Sequence, residues 1–211
     1  MKPVLNPDET SRSFWERHYG KMTTPSNGRP STMLVRFVAG RAPGRALDLG
    51  CGRGDDAIWL AGQGWHVTGA DVSETALAAA RASAQAAGVG SMTRFECHDL
   101  SATVPEGTFD LAFSMFMHSP VEFDRLGALR RAAAGVAPGG LLLIAAHGSC
   151  PPWSWADPET AYPTAEEDLA VLDLPEWRRV FVGPIEREAT GPNGVRATVL
   201  DTVIAVEKVR P

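Results

Sequence analysis

The sequence predicts an α/β fold, a largely parallel sheet covered by helices on both faces. Three observations carry the prediction. Apolar segments of strand length alternate with helical segments from residue 46 to residue 146. Such continuously apolar strands belong to sheets buried on both faces. Glycines or an acid follow the first strand segments, where ligands sit on sheets of this kind. Two late β-rich stretches around Gly191-Pro192-Asn193-Gly194 form a hairpin signal that adds one antiparallel strand.

A first helix is expected over Ser13–Tyr19, because Ser13 and Glu16 make a capping box. A loop with Pro25, Asn27, Gly28 and Pro30 leads to a helix over Thr32–Val38. Ala46–Leu49 reads as the first strand, Asp56–Ala61 as a helix and Trp65–Ala70 as the second strand. Glu74–Ala87 is an alanine-rich helix capped by Ser73 and stopped by Gly88. Arg94–Cys97 and Phe109–Ser114 are strands three and four. Ser119-Pro120-Val121-Glu122 is expected to open the next helix, with proline at its first position. Pro138-Gly139-Gly140 turns into strand five, Leu141–Ala146. A loop runs from Ser149 to Pro163, and Thr164 with Glu167 caps a short helix before the hairpin stretches Trp177–Glu188 and Arg196–Val206.

Length and charge narrow the function. A chain of 211 residues fits one domain with a core of its own. The net charge of −5 argues against binding a nucleic-acid backbone, and the cationic run Arg125–Arg131 reads as a solvated helix face. The longest apolar run, Leu141–Ala146, is too short for a membrane span, and residues 1–6 lack a signal-peptide core. Cys51, Cys97 and Cys150 make no CxxC pattern and read as core filler in a soluble, cytoplasmic protein.

The strand ends carry the chemistry. After strand one comes Asp48-Leu49-Gly50-Cys51-Gly52-Arg53-Gly54, whose glycines let the backbone turn sharply beside a ligand. A dinucleotide fingerprint needs a third small residue where Asp55 stands, followed here by Asp56. Two carboxylates at a helix N-terminus repel a pyrophosphate, which counts against a nicotinamide oxidoreductase. Asp71, about twenty residues on, has the spacing to accept hydrogen bonds from ribose hydroxyls. Asp99 ends strand three, where a carboxylate can accept the exocyclic amine of adenine.

In order, Asp48 to Gly54, Gly69-Ala70-Asp71-Val72-Ser73, Cys97-His98-Asp99-Leu100, Phe109-Asp110-Leu111 and Ala137-Pro138-Gly139-Gly140 resemble the motifs of class I S-adenosylmethionine-dependent methyltransferases. The resemblance spans residues 13–208 and is nearest to small bacterial enzymes related to tellurite-resistance and thiopurine methyltransferases. It implies a Rossmann-like, doubly wound, seven-stranded sheet of order 3-2-1-4-5-7-6 and the cofactor S-adenosylmethionine, with S-adenosylhomocysteine as product. It implies that Asp48 and the turn Gly50, Cys51, Gly52, Gly54 hold the methionine end of the cofactor. Asp71 then binds the ribose, Val72 packs on the adenine, Asp99 and the Leu100 amide read its edge, and the backbone of Ser114 and Met115 closes the methionine pocket.

For catalysis, His118 and His147 follow strands four and five and titrate near neutral pH, so either can take a proton from an acceptor. His118 can equally serve only to orient its turn. Trp15, Tyr19, Trp153 and Trp155 offer aromatic walls for a small-molecule acceptor, or they simply fasten helix and loop to the domain. Residues 1–40 are then a helical cap and 149–163 a lid on one domain, 1–211. No histidine pair has metal-ligand spacing, so no metal is expected. Open alternatives are a non-catalytic adenosylmethionine-binding protein and an enzyme that methylates protein or nucleic acid. The accepting atom (oxygen, nitrogen, sulfur or a metalloid) stays open.

Overall fold

The computed structural model describes residues 6, 8–23, 26, 28–154, 157, 159–191 and 194–210. Helices α1 (Ser11–Gly20) and α2 (Thr32–Val38) lead into β1 (Arg45–Leu49), α3 (Asp55–Gly62), β2 (His66–Asp71), α4 (Glu74–Ala86) and β3 (Thr93–Cys97). The chain continues through β4 (Phe109–Met115), α5 (Arg125–Ala134), β5 (Val136–His147), α6 (Ala165–Leu172), β6 (Trp177–Thr190) and β7 (Arg196–Lys208). The strands form one seven-stranded sheet of order β3-β2-β1-β4-β5-β7-β6. Strands β1 to β5 pair in parallel, and β7 runs antiparallel to both β5 and β6. The expected order and the single reversed strand both hold.

Alternate residues of the central strands feed two separate cores. Ala46, Leu111, Phe113, Leu141 and Leu143 pack with Leu34, Leu60 and Leu77 on the α2–α3–α4 face. Leu47, Leu49, Ala112, Leu142 and Ile144 pack with Leu129, Ala132 and Leu172 on the α5–α6 face. Burial on both sides is why these strands are apolar throughout. Each large side chain removed from water contributes about 1.5–3 kcal/mol.

Three element boundaries differ from the sequence expectation. Helix α1 starts earlier and is capped by Thr10, whose hydroxyl accepts from the Ser13 amide at 3.2 Å, so Ser13 lies inside the helix. Glu16 thereby leaves the expected capping box and caps another helix. The next helix begins at Arg125 instead of at Ser119-Pro120: Asp124 Oδ1 accepts from the Gly127 amide at 2.9 Å. Ser119 Oγ accepts from the Val121 amide at 3.3 Å and stabilises a local turn. Strand β5 already starts at Val136, and Pro138-Gly139-Gly140 forms an irregularity within it, opposite the step from Phe109 to Leu111 on β4. No helix of the described residues is long and apolar enough to cross a membrane.

Candidate active site

The strand β1 carboxylate Asp48 is 2% exposed, and its Oδ2 has no hydrogen-bond partner. Burial, then the charges of Asp56 and Asp71, push its pKa well above the usual carboxylate range. A buried, unpaired acceptor of this kind is costly unless a ligand donor meets it. Beyond Leu49 the chain turns through Gly50, Gly52 and Gly54 at φ of 71°, 50° and 82°. A Cβ on Gly52 would stand 2.8 Å from the Tyr19 hydroxyl, and one on Gly54 would stand 2.9 Å from Ala80 Cβ. Only glycine allows both the left-handed backbone and the close approach.

Asp71 ties this turn to the start of α4. Its Oδ2 accepts from the Gly52 amide at 2.9 Å and its Oδ1 from the Ser73 amide at 3.0 Å. Burial raises its pKa, while the amide bonds of Ser73 and Gly52 work the other way. Asp55 and Asp56 lie in the first turn of α3. Asp56 Oδ1 accepts from the Ser31 amide at 2.6 Å, and Asp55 pairs with the Ser26 hydroxyl, so the two acids hold Ser31 and Ser26. Burial pushes the Asp56 pKa up to about 6. This helix start is therefore acidic, and nothing about it suits a pyrophosphate.

A solvent-open cleft with about 540 Å³ of space lies past the strand ends. It is lined by Gly50, Asp71, Val72, Asp99 and Leu100 from the first three strand ends and by Phe116, Met117, His118, Ser119 and Phe123 from the segment after β4. Ser11, Trp15 and Tyr19 of α1 complete the lining. Helix α1 is held there by Glu16, whose carboxylate accepts from the Glu74 amide at 2.6 Å and caps α4. These residues fit an adenosyl amino acid: an apolar slot at Val72 and Leu100, acids for hydroxyls and amines, and an unmet acceptor at Asp48.

The segment after β4 starts with Phe116, a non-glycine residue at φ 57°. Such a conformation in an aromatic residue persists only where its surroundings impose it. The His147 ring stacks on Phe116 at 4.9 Å and on His118 at 5.1 Å. His118 Nε2 accepts from the His147 amide at 3.3 Å. Burial, then His147 and Arg125, depress the His118 pKa to about 4. Burial also lowers His147, which Asp201 partly counters. Behind the stack, Arg187 lies 5.6 Å from the Phe116 centroid and pairs with buried Asp201 through Nε at 2.5 Å.

Of the residues expected at the site, Gly50, Asp71, Val72, Asp99, Leu100, Trp15, Tyr19 and His118 line the cleft. His147 stands behind His118. Asp48 at the end of β1 and Cys51, Gly52 and Gly54 of the turn itself are not in the lining, and Ser114 and Met115 end β4 outside it. Trp153 packs on Gly191 beside the hairpin, where a Cβ would strike its ring, and it is not among the cleft residues. Trp155 lies outside the described residues. Sequence reasoning missed Ser11, Phe116, Met117 and Phe123 and took Ser119 for a helix cap. The available signal for Phe116, Met117, Ser119 and Phe123 was their position after strand four, and Ser11 had none. Among the described residues, no cluster of His, Cys, Asp or Glu could hold a metal ion.

Comparison with known proteins agrees with this geometry. Residues 46–140 match the model of a methyltransferase domain. Over 172 residues the chain is 28% identical to 2-heptyl-1-hydroxyquinolin-4(1H)-one methyltransferase of Mycobacteroides abscessus, covering 79% of this chain and 73% of that protein. Over 138 residues it is 30% identical to ribosomal RNA small subunit methyltransferase C of Alcanivorax borkumensis, covering 60% of this chain and 40% of the relative. The chain thus spans less than half of that relative's length, and 57% of a further curated relative's. A structure solved in work on the conversion of a disulfide bond into a thioacetal group during echinomycin biosynthesis superposes with a TM-score of 0.70 at 26% identity, covering 95% of this chain and 93% of the other. TehB from Haemophilus influenzae shares the fold, with a TM-score of 0.67 at 19% identity over 94% of this chain and 67% of its own. Sheet order, strand-end motifs and the methyltransferase-domain match over residues 46–140 converge on a likeness to the class I S-adenosylmethionine-dependent methyltransferases.

Proposed function

We propose that this chain transfers a methyl group from S-adenosylmethionine to a small organic acceptor. The observation that carries the reading is one cleft lined by strand-end acids, by aromatic rings and by His118. When bound, S-adenosylmethionine would supply an electrophilic methyl carbon on a cationic sulfonium, with S-adenosylhomocysteine as product and, from a protic acceptor, one proton released to the water of the open cleft. The protein positions the acceptor in line and excludes water, which in favourable cases is worth roughly 7–11 kcal/mol.

In this reading Asp71 keeps lone pairs for the ribose hydroxyls beyond its two amide bonds. Val72, Asp99 and the Leu100 amide hold adenine. Asp48, the Gly50–Gly54 turn with Cys51, and the Ser114–Met115 backbone hold the methionine end. Trp15 and Tyr19 cover the cofactor from α1. His118 meets the acceptor, with His147 behind it. The chain acts as one soluble, cytoplasmic domain, with residues 1–40 as its cap. Segment 149–163 closes on the acceptor side through Tyr162, whose ring lies 6.4 Å from His147, while Trp153 fastens it to the hairpin.

A small acceptor is favoured over nucleic acid, the rRNA-methylating relative notwithstanding. The net charge is −5, and none of the described cleft residues is Lys or Arg. Calorimetry tests the cofactor, and S-adenosylhomocysteine release from a panel of phenols, thiols, amines and oxyanions tests catalysis. The reading expects S-adenosylhomocysteine to bind and NAD not to. Comparable NAD binding would return the oxidoreductase, and binding without turnover on any acceptor would favour a non-catalytic role.

A further inference from the structure

The arginines of α5 do not simply meet solvent, as a cationic helix face would: each bonds back to the protein. Arg125 pairs with buried Asp168, and Arg130 donates to the Val171 and Leu172 carbonyls at the end of α6. Arg131, in the last turn of α5, reaches the loop that follows β3. Its Nη2 donates to the Leu100 carbonyl at 2.6 Å and to the Ser101 carbonyl at 2.8 Å. A cation at this position ordinarily serves the carbonyls of its own helix end. The reach to the loop leaves Arg131 Nε buried without a partner among the described residues, a cost that the two charge-assisted bonds offset.

Those two bonds fix a loop of the cleft. Asp99 and Leu100 line the cleft, and Asp99 is exposed, so its carboxylate would swing freely unless tied. Its Oδ1 accepts from the Ser101 amide at 3.0 Å. Its backbone carbonyl accepts from the Ala102 and Thr103 amides, each at 2.9 Å. The peptide between Leu100 and Ser101 is therefore held at both ends, its C=O by Arg131 and its N–H by Asp99. A guanidinium on the carbonyl polarises that peptide and makes the Ser101 N–H a better donor to Asp99. The Ser101 hydroxyl accepts from the Asp124 amide at 3.3 Å and joins the loop to the start of α5. With Oδ1 committed, Oδ2 is the oxygen that Asp99 presents to a ligand.

Building on the cofactor reading, in which Asp99 and the Leu100 amide hold adenine, we infer that Arg131 is a positioning residue for base recognition. It touches no part of the ligand; it holds the peptide that holds Asp99. Along one edge adenine offers an amine donor and a ring-nitrogen acceptor, which a carboxylate and an N–H match. Hypoxanthine, with a carbonyl in place of the amine, reverses both: its oxygen meets the carboxylate, and its ring N–H meets an N–H. Arg131 thus governs the choice between two bases as well as the affinity for one.

Calorimetry with S-adenosylhomocysteine and its hypoxanthine counterpart, S-inosylhomocysteine, tests this. The native protein should prefer the adenine form by about a hundredfold or more, since a site built for one hydrogen-bond pattern rejects its reverse. Arg131→Met should weaken the adenine form about tenfold, the scale of one loosened hydrogen bond, and leave the hypoxanthine form nearly unchanged. Arg131→Lys, which can still donate to a carbonyl, should lie between the two. Arg130→Met removes a similar pair of carbonyl bonds from the same helix and should leave the preference intact. A preference unaltered by Arg131→Met, or narrowed as much by Arg130→Met, overturns the assignment. If Arg131→Met does not fold, Arg131→Lys decides by the same criterion. Native protein that binds both forms alike overturns the placement of Asp99 at the base, and the role of Arg131 with it. Failure of S-adenosylhomocysteine to bind the native protein overturns the cofactor reading itself.

Discussion

Replacing Asp56 by asparagine should stabilise the protein, and more at high pH than at low. Asp56 is partly buried in the first turn of α3, beside Asp55, with Oδ1 on the Ser31 amide at 2.6 Å. Burial raises its pKa from 3.8 to about 6; the Ser31 bond opposes the rise and Asp55 adds to it. Because the folded pKa lies above the unfolded one, its contribution to stability is fully present below the unfolded pKa and is lost as pH rises through about 6. A gap of about two pK units amounts to about 3 kcal/mol at pH 8, and to about 1.5 kcal/mol at pH 5, where the unfolded carboxyl is ionised and the folded one mostly is not. Asparagine is neutral at both and still presents an oxygen to Ser31, and the net shift already includes the charge assistance of that bond. The variant should therefore gain about 3 kcal/mol at pH 8 and about 1.5 kcal/mol at pH 5. Urea unfolding of both proteins at the two pH values measures the difference. His118, whose folded pKa of about 4 lies below its unfolded 6.5, shifts stability the other way on acidification, but equally in both proteins. A gain independent of pH, or one larger at pH 5, would refute the argument.

Asp71→Asn leaves either the Gly52 or the Ser73 amide facing an NH₂ group. S-adenosylhomocysteine affinity should fall by about 10–100-fold in calorimetry, equivalent to roughly 1.5–3 kcal/mol; an unchanged affinity would remove Asp71 from the site. Arg187→Met strands the buried Asp201 carboxylate and should destabilise by on the order of 3 kcal/mol in denaturant titration. Adding Asp201→Leu should recover most of that loss, and strictly additive losses would contradict a paired role.

The strand ends were legible because their chemistry is local. Asp48, Asp71 and Asp99 each follow an apolar run at a spacing that sheet geometry fixes, and the glycine turn needs left-handed backbone only glycine adopts readily. Helix starts were harder. Thr10 and Ser13 are both competent caps, and the earlier one won, leaving Glu16 free to cap α4, 58 positions along the chain. The Ser119-Pro120 signal was sound by local rules, but the sharp turn at Phe116 sends residues 117–123 along the cleft before α5 can begin at Arg125. The histidine stack and the Arg187–Asp201 pair depend on β5, β6 and β7 meeting in register, with His147 opposite Asp201 and Ile185 opposite Asp201. No pattern within one segment announces such contacts.

The placement of β7 between β5 and β6 has a bearing on how the chain assembles during synthesis. Strand β6 leaves the ribosome before β7, yet its only sheet neighbour among the described residues is β7. Until Val203, Ile204, Ala205 and Val206 emerge to fill both cores, β5 presents an open apolar edge and β6 has no template. Nascent chains stalled after β6 are thus the species most exposed to edge-to-edge aggregation. The Phe116–His147–His118 stack, with Arg187 and β7's Asp201 behind it, takes its final shape only when the sheet closes.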